Sequence, residues 1–164
     1  VTVFLMLFAA VIFFAPELGG WFLEPDNFMP ANILQTPQEI VPLWYFTPYY
    51  SILRANTFAF FGIEAKLWGV IFMGLAIVFF FFLPWLDRSP VKSIRYRGWM
   101  YKTALTIFVV AFLVLGYLGT QPASGVKVVI AQLCTVLYFA FFVLMPWYTR
   151  IDKTKPVPER VTSK

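Results

Sequence analysis

The chain has no histidine, a single cysteine and few charges. Without imidazole it can hold no haem by histidine ligation, and no zinc site or nucleophile–base pair that depends on histidine. The one cysteine, Cys134, excludes an internal disulfide; it lies in an apolar run and reads as an inert packed thiol. No Gly-rich phosphate loop is present either. Only 13% of residues are charged, against about a quarter in an ordinary soluble domain. With 60% hydrophobic residues and a mean hydropathy of +0.75, the composition is that of an integral membrane protein. No basic stretch or small-residue cleavage site precedes the first apolar run, so it does not read as a signal peptide; the chain reads as a fragment or as one part of a larger subunit.

What is there is four apolar runs. The spacing predicts an all-α membrane protein with four transmembrane helices, because backbone polar groups in lipid must be satisfied within each span. The expected segments are the end of a first helix at 1–15, a long structured loop at 16–66, and a second helix at 67–84. A basic loop at 85–102, a third helix at 103–120 and a short loop at 121–127 follow. A fourth helix at 128–149 and a tail at 150–164 complete the chain. The first run covers about 22 Å at about 1.5 Å per residue, less than the roughly 30 Å hydrocarbon core, so its helix is expected to start upstream.

Of the thirteen basic residues, ten fall in the 85–102 loop and the tail. The net charge of +5 is therefore arranged for a membrane surface, not for nucleic acid. The positive-inside rule places the tail and the 85–102 loop in the cytoplasm and the acidic 16–66 loop in the periplasm. Trp85, Trp99, Trp147 and Tyr148 mark headgroup levels.

A connection of some fifty residues is expected to be functional. Within it, Pro42-Leu43-Trp44-Tyr45-Phe46, then Pro48, Tyr49, Tyr50 and Arg54, combine rigid apolar walls with a few hydroxyls, as small-molecule pockets do. An interfacial aromatic belt without a ligand is the competing reading. Residues 49–55 suit a short surface helix ending near Asn56. Glu39 is the carboxylate nearest in sequence that could relay protons, a solvated loop acid being its bland alternative. Gly62, Gly69 and Gly74 read as close-packing positions, and Gln121 and Gln132 as interhelical or interfacial hydrogen-bonders.

These motifs carry a resemblance. Glu24-Pro25-Asp26-Asn27-Phe28-Met29-Pro30-Ala31-Asn32, Thr36-Pro37, Pro42-Leu43-Trp44-Tyr45-Phe46 and Tyr50-Ser51-Ile52-Leu53-Arg54 resemble the C-terminal half of bacterial cytochrome b from the quinol–cytochrome c oxidoreductase. Gly119-Thr120-Gln121-Pro122, Ile130-Ala131-Gln132-Leu133 and Leu137-Tyr138-Phe139 resemble that family's last loop and last helix. The resemblance implies helices E to H, with the loop between E and F walling the quinol-oxidation pocket in respiratory electron transport coupled to proton translocation. Pro42, Leu43, Phe46 and Tyr50 would then bind quinol, while Trp44, Tyr45 and Arg54 would be structural members of the motif.

The family's usual motif has glutamate where this chain has Leu43. Leucine cannot accept a proton, and Glu39 is the nearest replacement in sequence. The resemblance further implies two haems b held by the N-terminal half of cytochrome b and no cofactor or metal ligated here. It implies a Rieske iron–sulfur protein, cytochrome c1, membrane lipid and a dimeric complex as partners, and the bacterial inner membrane with a cytoplasmic C-terminus as location. The enzyme would be multi-subunit, with no complete active site in this chain. A structural or assembly subunit without a working pocket is the alternative, with Leu43 its only support; a four-helix transporter fragment would need intramembrane charges, and the uncharged spans hold none.

Overall fold

The computed structural model describes residues 1–35 and 40–159, which contain seven α-helices and no β-sheet. Helix α1, Thr2–Phe14, is apolar on every side and buries none of its residues. A helix of that kind needs lipid or protein all round it. Helix α2 is Thr47–Ala55, α3 is Ala65–Phe81 and α4 is Leu83–Leu86. Helices α5, Trp99–Gly119, and α6, Gly125–Val143, precede α7 at Met145–Ile151. Among the described residues α5 and α6 are long and apolar enough to cross a membrane; α1, at 13 residues, and α3, at 17, are shorter.

Charge marked the ends of the apolar runs, yet the helices extend beyond them. Helix α5 begins before Lys102, and α6 includes Lys127. A basic residue in a terminal turn reaches the interface with its long side chain and does not stop the helix. Proline does interrupt it. Phe82 (φ −89°, ψ −4°) separates α3 from α4, and Leu144 (φ −85°, ψ −7°) separates α6 from α7. In both places a proline, Pro84 or Pro146, sits in the first turn of the new helix, where its missing N–H costs nothing. The two sites read alike: Phe82-Leu83-Pro84-Trp85 and Leu144-Met145-Pro146-Trp147. Both tryptophans stay exposed.

The loop before α3 is organised. It carries 3-10 turns at Leu18–Gly20 and Pro25–Phe28, then α2. After α2, Phe61 (φ 54°) and Gly62 (φ 75°) form a tight turn that pairs Phe60 with Ile63. Positive φ at both central positions is the backbone such a two-residue turn requires.

Helix α2 is not a surface helix. Thr47, Pro48, Ser51, Ile52 and Ala55 are buried, and α2 packs on α3, α5 and α6 at once. Small residues make this possible. A Cβ on Gly119 of α5 would collide with the Thr47 backbone, and one on Gly69 of α3 with the Leu53 carbonyl. Gly69 is thus a close-packing position as expected; Gly62 and Gly74 have nothing of the described chain within 4 Å of such a Cβ. Below α2, the centre of α3, α5 and α6 is aromatic, with Phe108 stacked on Phe141 at 4.5 Å. The buried Tyr138 hydroxyl donates to the Ala76 carbonyl at 2.8 Å, tying α6 to α3.

At the basic end, Arg97 is buried and forms a two-pronged ion pair with Asp87, and its guanidinium lies 4.3 Å over the Tyr101 ring. Asp152 accepts from the Tyr101 N–H at 3.3 Å, a carboxylate at the start of α5 where the helix dipole favours one. The Lys155 N–H donates to the Tyr96 carbonyl at 2.7 Å, and the Arg88 N–H to the Thr149 hydroxyl.

Candidate functional site

The aromatic motif enters α2 through a turn. The Phe46 N–H donates to the Leu43 carbonyl at 2.8 Å, and the Thr47 hydroxyl to the Trp44 carbonyl at 2.8 Å. Pro48 in the first helical turn presets its φ. Two side chains then tie the turn to an earlier part of the loop. The Trp44 indole N–H donates to the Trp21 carbonyl at 3.1 Å, and the Tyr45 hydroxyl to the Phe22 carbonyl at 3.3 Å. Trp44 and Tyr45 meet edge to face with centroids 5.4 Å apart, and Tyr45 and Phe46 lie 4.7 Å apart.

Helical spacing divides α2 into two faces. Pro48, Ser51, Ile52 and Ala55 turn inward, and the Ser51 hydroxyl donates to the Leu115 carbonyl at 2.6 Å. Phe46, at the N-cap, and Tyr50 lie four apart on the opposite side and so stack along one surface. Phe46 is exposed; Tyr50, Pro42 and Leu43 are half-buried. Arg54 lies four residues beyond Tyr50, with its guanidinium 4.6 Å over the Tyr50 ring. It donates to the carbonyls of Leu118 at 2.9 Å and Gln121 at 3.0 Å, at the C-terminal end of α5, where helix carbonyls lack partners.

Leu43 and Phe46 are thus joined through the turn, and Phe46 and Tyr50 through the first helical turn of α2. None of Pro42, Leu43, Phe46 and Tyr50 lines the groove between α3 and α6 or the small cavity beside Ser51 and Arg54. Glu39 lies outside the described residues.

A large groove lies elsewhere. About 690 Å³ in volume, it runs between α3 and α6, with Ile52 and Asn56 at one end and Phe72, Phe79 and Phe139 along it. The sequence did carry a signal for it: Gln132, Thr135, Val136, Phe139 and Val143 recur at helical spacing on one face of α6. Gln132 acts at its end, donating to the Ala55 carbonyl at 3.0 Å and the Thr57 hydroxyl at 3.1 Å, and so caps α2. Gln121 accepts from the Lys127 ammonium at 3.3 Å.

A haem b does not fit this chain as a ligand set. It has no histidine, and among the described residues no three of His, Cys, Asp or Glu gather as metal ligands would.

Comparison with known proteins agrees with this architecture. Residues 30–139 match the family model described as cytochrome b (C-terminal)/b6/petD. The chain is similar to cytochrome b of Allochromatium vinosum, 56% identical over 99% of this chain and 39% of that protein. It is 44% identical to cytochrome b of Rhodospirillum rubrum over 98% of this chain and 37% of that protein. A chain of a solved hyperthermophilic respiratory Complex III superposes with a TM-score of 0.70 at 33% identity, covering 92% of this chain and 35% of that one. The chain thus spans less than two-fifths of the length of these relatives.

Proposed function

The chain belongs to the C-terminal cytochrome b/b6/petD family, and on that premise we propose that it forms one wall of the quinol-oxidation site of a respiratory quinol–cytochrome c oxidoreductase. The observation that carries the reading is the two-faced α2. Its inner face is locked against three helices, while Phe46 and Tyr50 stand on its outer face beside Leu43 and Pro42. Rigid backing with an open aromatic front is what a site completed from outside these residues needs.

In this role Pro42, Leu43 and Phe46 exclude water and grip the apolar ring. Tyr50 supplies a hydroxyl at the wall. Quinol loses two electrons and two protons to become quinone. The electron acceptors, a Rieske iron–sulfur protein and a haem b, would be held outside these residues, which contain no histidine to ligate them. Both protons leave on the loop side. Leu43 cannot take one, and Glu39 is the proposed acceptor in its place. The four apolar helices would span a bacterial inner membrane with the tail after α7 in the cytoplasm. The N-terminal half of cytochrome b would surround α1, and cytochrome c1 and a dimeric assembly would complete the complex.

Tyr50→Ala tests the wall. Quinol oxidation is expected to fall at least tenfold with both haem b spectra unchanged, while Tyr50→Phe, which keeps the ring over Arg54, retains normal haem content and assembly. Full turnover in Tyr50→Ala removes Tyr50 from the site and favours a structural subunit without a working pocket. Glu39→Gln tests the proton acceptor. A general base contributes about 10²–10⁴-fold, so the rate should drop by that order and lose its acid limb. An unchanged rate and pH profile assign the proton to a partner chain or to water.

A further inference from the structure

We infer that the groove between α3 and α6 holds an acyl chain of an acidic phospholipid, with the headgroup at the basic end of the bundle. The inference rests on these helices crossing a membrane and is independent of the quinol wall. The groove has a volume of about 690 Å³ and reaches along α6 from Gln132 to Leu144, with Ile52 and Asn56 of α2 closing its loop end. At about 1.5 Å per residue that is about 18 Å. One leaflet of a roughly 30 Å hydrocarbon core is about 15 Å deep, so the groove is as long as one lipid chain. A helix segment of the same length, about 10 Å across, would fill about 1,400 Å³, twice the space present.

The polar inventory decides what sort of molecule fits. No charged side chain lines the groove. Its polar side chains, Asn56, Gln132 and Thr135, have no donor to spare. The Asn56 amide donates to the carbonyls of Phe58 and Ala65, and the Gln132 amide to the Ala55 carbonyl and the Thr57 hydroxyl. The Thr135 hydroxyl donates to the Ala131 carbonyl. A side-chain amide has two hydrogens to give and a hydroxyl one, so all are committed. A quinone or another oxygen-bearing ring would find no donor there, whereas a hydrocarbon chain needs none.

Charge sets the direction of the chain. At the Leu144 end, the breaks before Pro84 and Pro146 leave Trp85 and Trp147 exposed, and tryptophan settles at headgroup level. The Arg88 N–H donates to the Thr149 hydroxyl at 3.2 Å, which sets Arg88 beside the backbone that carries Arg150. Both arginines are exposed, and among the described residues neither is in an ion pair. Beyond the other end, the 16–66 connection carries five acidic residues against two basic. An acidic headgroup is therefore attracted to the Leu144 end and not to the Gln132 end.

The test uses the membrane-extracted assembly that contains the chain, stripped of lipid and returned to nanodiscs of phosphatidylglycerol or of phosphatidylcholine with the same acyl chains. In phosphatidylglycerol, electron cryomicroscopy is expected to show a rod of density along the groove ending in a headgroup at Arg88 and Arg150. The thermal midpoint is expected to lie a few degrees above that in phosphatidylcholine, because a lipid bound only by the folded state stabilises it. Arg88→Gln with Arg150→Gln should remove the ordered headgroup and that difference in midpoint. Ala140→Phe, which fills the groove from α6, should remove the rod. A groove that is empty, or filled by protein from elsewhere in the assembly, overturns the inference. So do a headgroup at the Gln132 end, equal midpoints in the two lipids, and a double variant that keeps the full preference for phosphatidylglycerol.

Discussion

The two ends of the helix bundle are held by different physics. At the loop end, α2 sits between α3, α5 and α6 by backbone-to-backbone approach, with Gly69 and Gly119 leaving no space for even one added carbon. At the basic end the contacts run through side chains: the Asp87–Arg97 ion pair, Arg97 over Tyr101, and the Asp152 carboxylate at the start of α5. Lipid tails are as apolar as leucine, so helices inside a membrane gain little from simply hiding apolar surface, and close packing and polar contacts must join them. The loop end uses the first device, which fixes α2 in position and leaves its outer face free. The basic end uses the second, beside water, where charges can be kept.

The sharpest break at the basic end is Asp87→Ala. It strands the Arg97 charge, 7% exposed, while Asp87 itself is 29% exposed. Stripping one partner from a buried ion pair costs roughly 3–5 kcal/mol, and the partial exposure of Asp87 puts this case near about 3 kcal/mol. The thermal midpoint of the assembly should fall markedly, with quinol turnover per intact complex unchanged. Replacing both partners, Asp87→Ala with Arg97→Met, should recover most of the loss. A single variant as stable as the native protein would mean that water screens the pair, and the contrast between the two ends would collapse.

At the loop end the corresponding break is Gly119→Ala. The added methyl meets the Thr47 backbone, which cannot move without shifting α2. Overpacking costs typically about 1–3 kcal/mol, and here the strain passes to the turn that carries Phe46. The expected signature is a double one: a lower midpoint and slower quinol oxidation. Loss of stability with native turnover would separate the seat of α2 from the wall it supports.

Much of this was legible in the sequence. The uncharged runs located α3, α5 and α6, and the aromatic–proline density marked the turn at Leu43–Phe46. The burial of α2 was not legible. Residues 49–55 read as a surface helix, whereas the telling residues are Ser51, Ala55, Gly69 and Gly119, small side chains whose meaning depends on what lies opposite. Arg97 read as one of a row of surface charges, since its pairing with Asp87 requires the turn at Ile94–Tyr96 to fold back. Nor could hydropathy say which side of an apolar helix meets protein: in lipid both sides are apolar, so the amphipathic stripe that reveals a soluble core is weak.

The smallest effect should come from Gly116→Ala, one turn before Gly119 on the same helix. A Cβ there would lie 3.4 Å from the Pro48 Cγ and 3.7 Å from the Thr47 hydroxyl oxygen. These are side-chain atoms at ordinary contact distance, with some freedom to give. Against that light contact stands the gain from replacing glycine inside a helix, about 0.5–1 kcal/mol. The midpoint of Gly116→Ala is therefore expected to stay level or to rise by a degree or two, with normal turnover. Measured beside Gly119→Ala, it separates two accounts of the loop end. If α2 is seated by the backbone approach at Thr47, Gly119→Ala must lower the midpoint and Gly116→Ala must not. If both lower stability equally, glycine is needed along α5 for some other reason, and the rigid backing of the proposed quinol wall loses its structural basis.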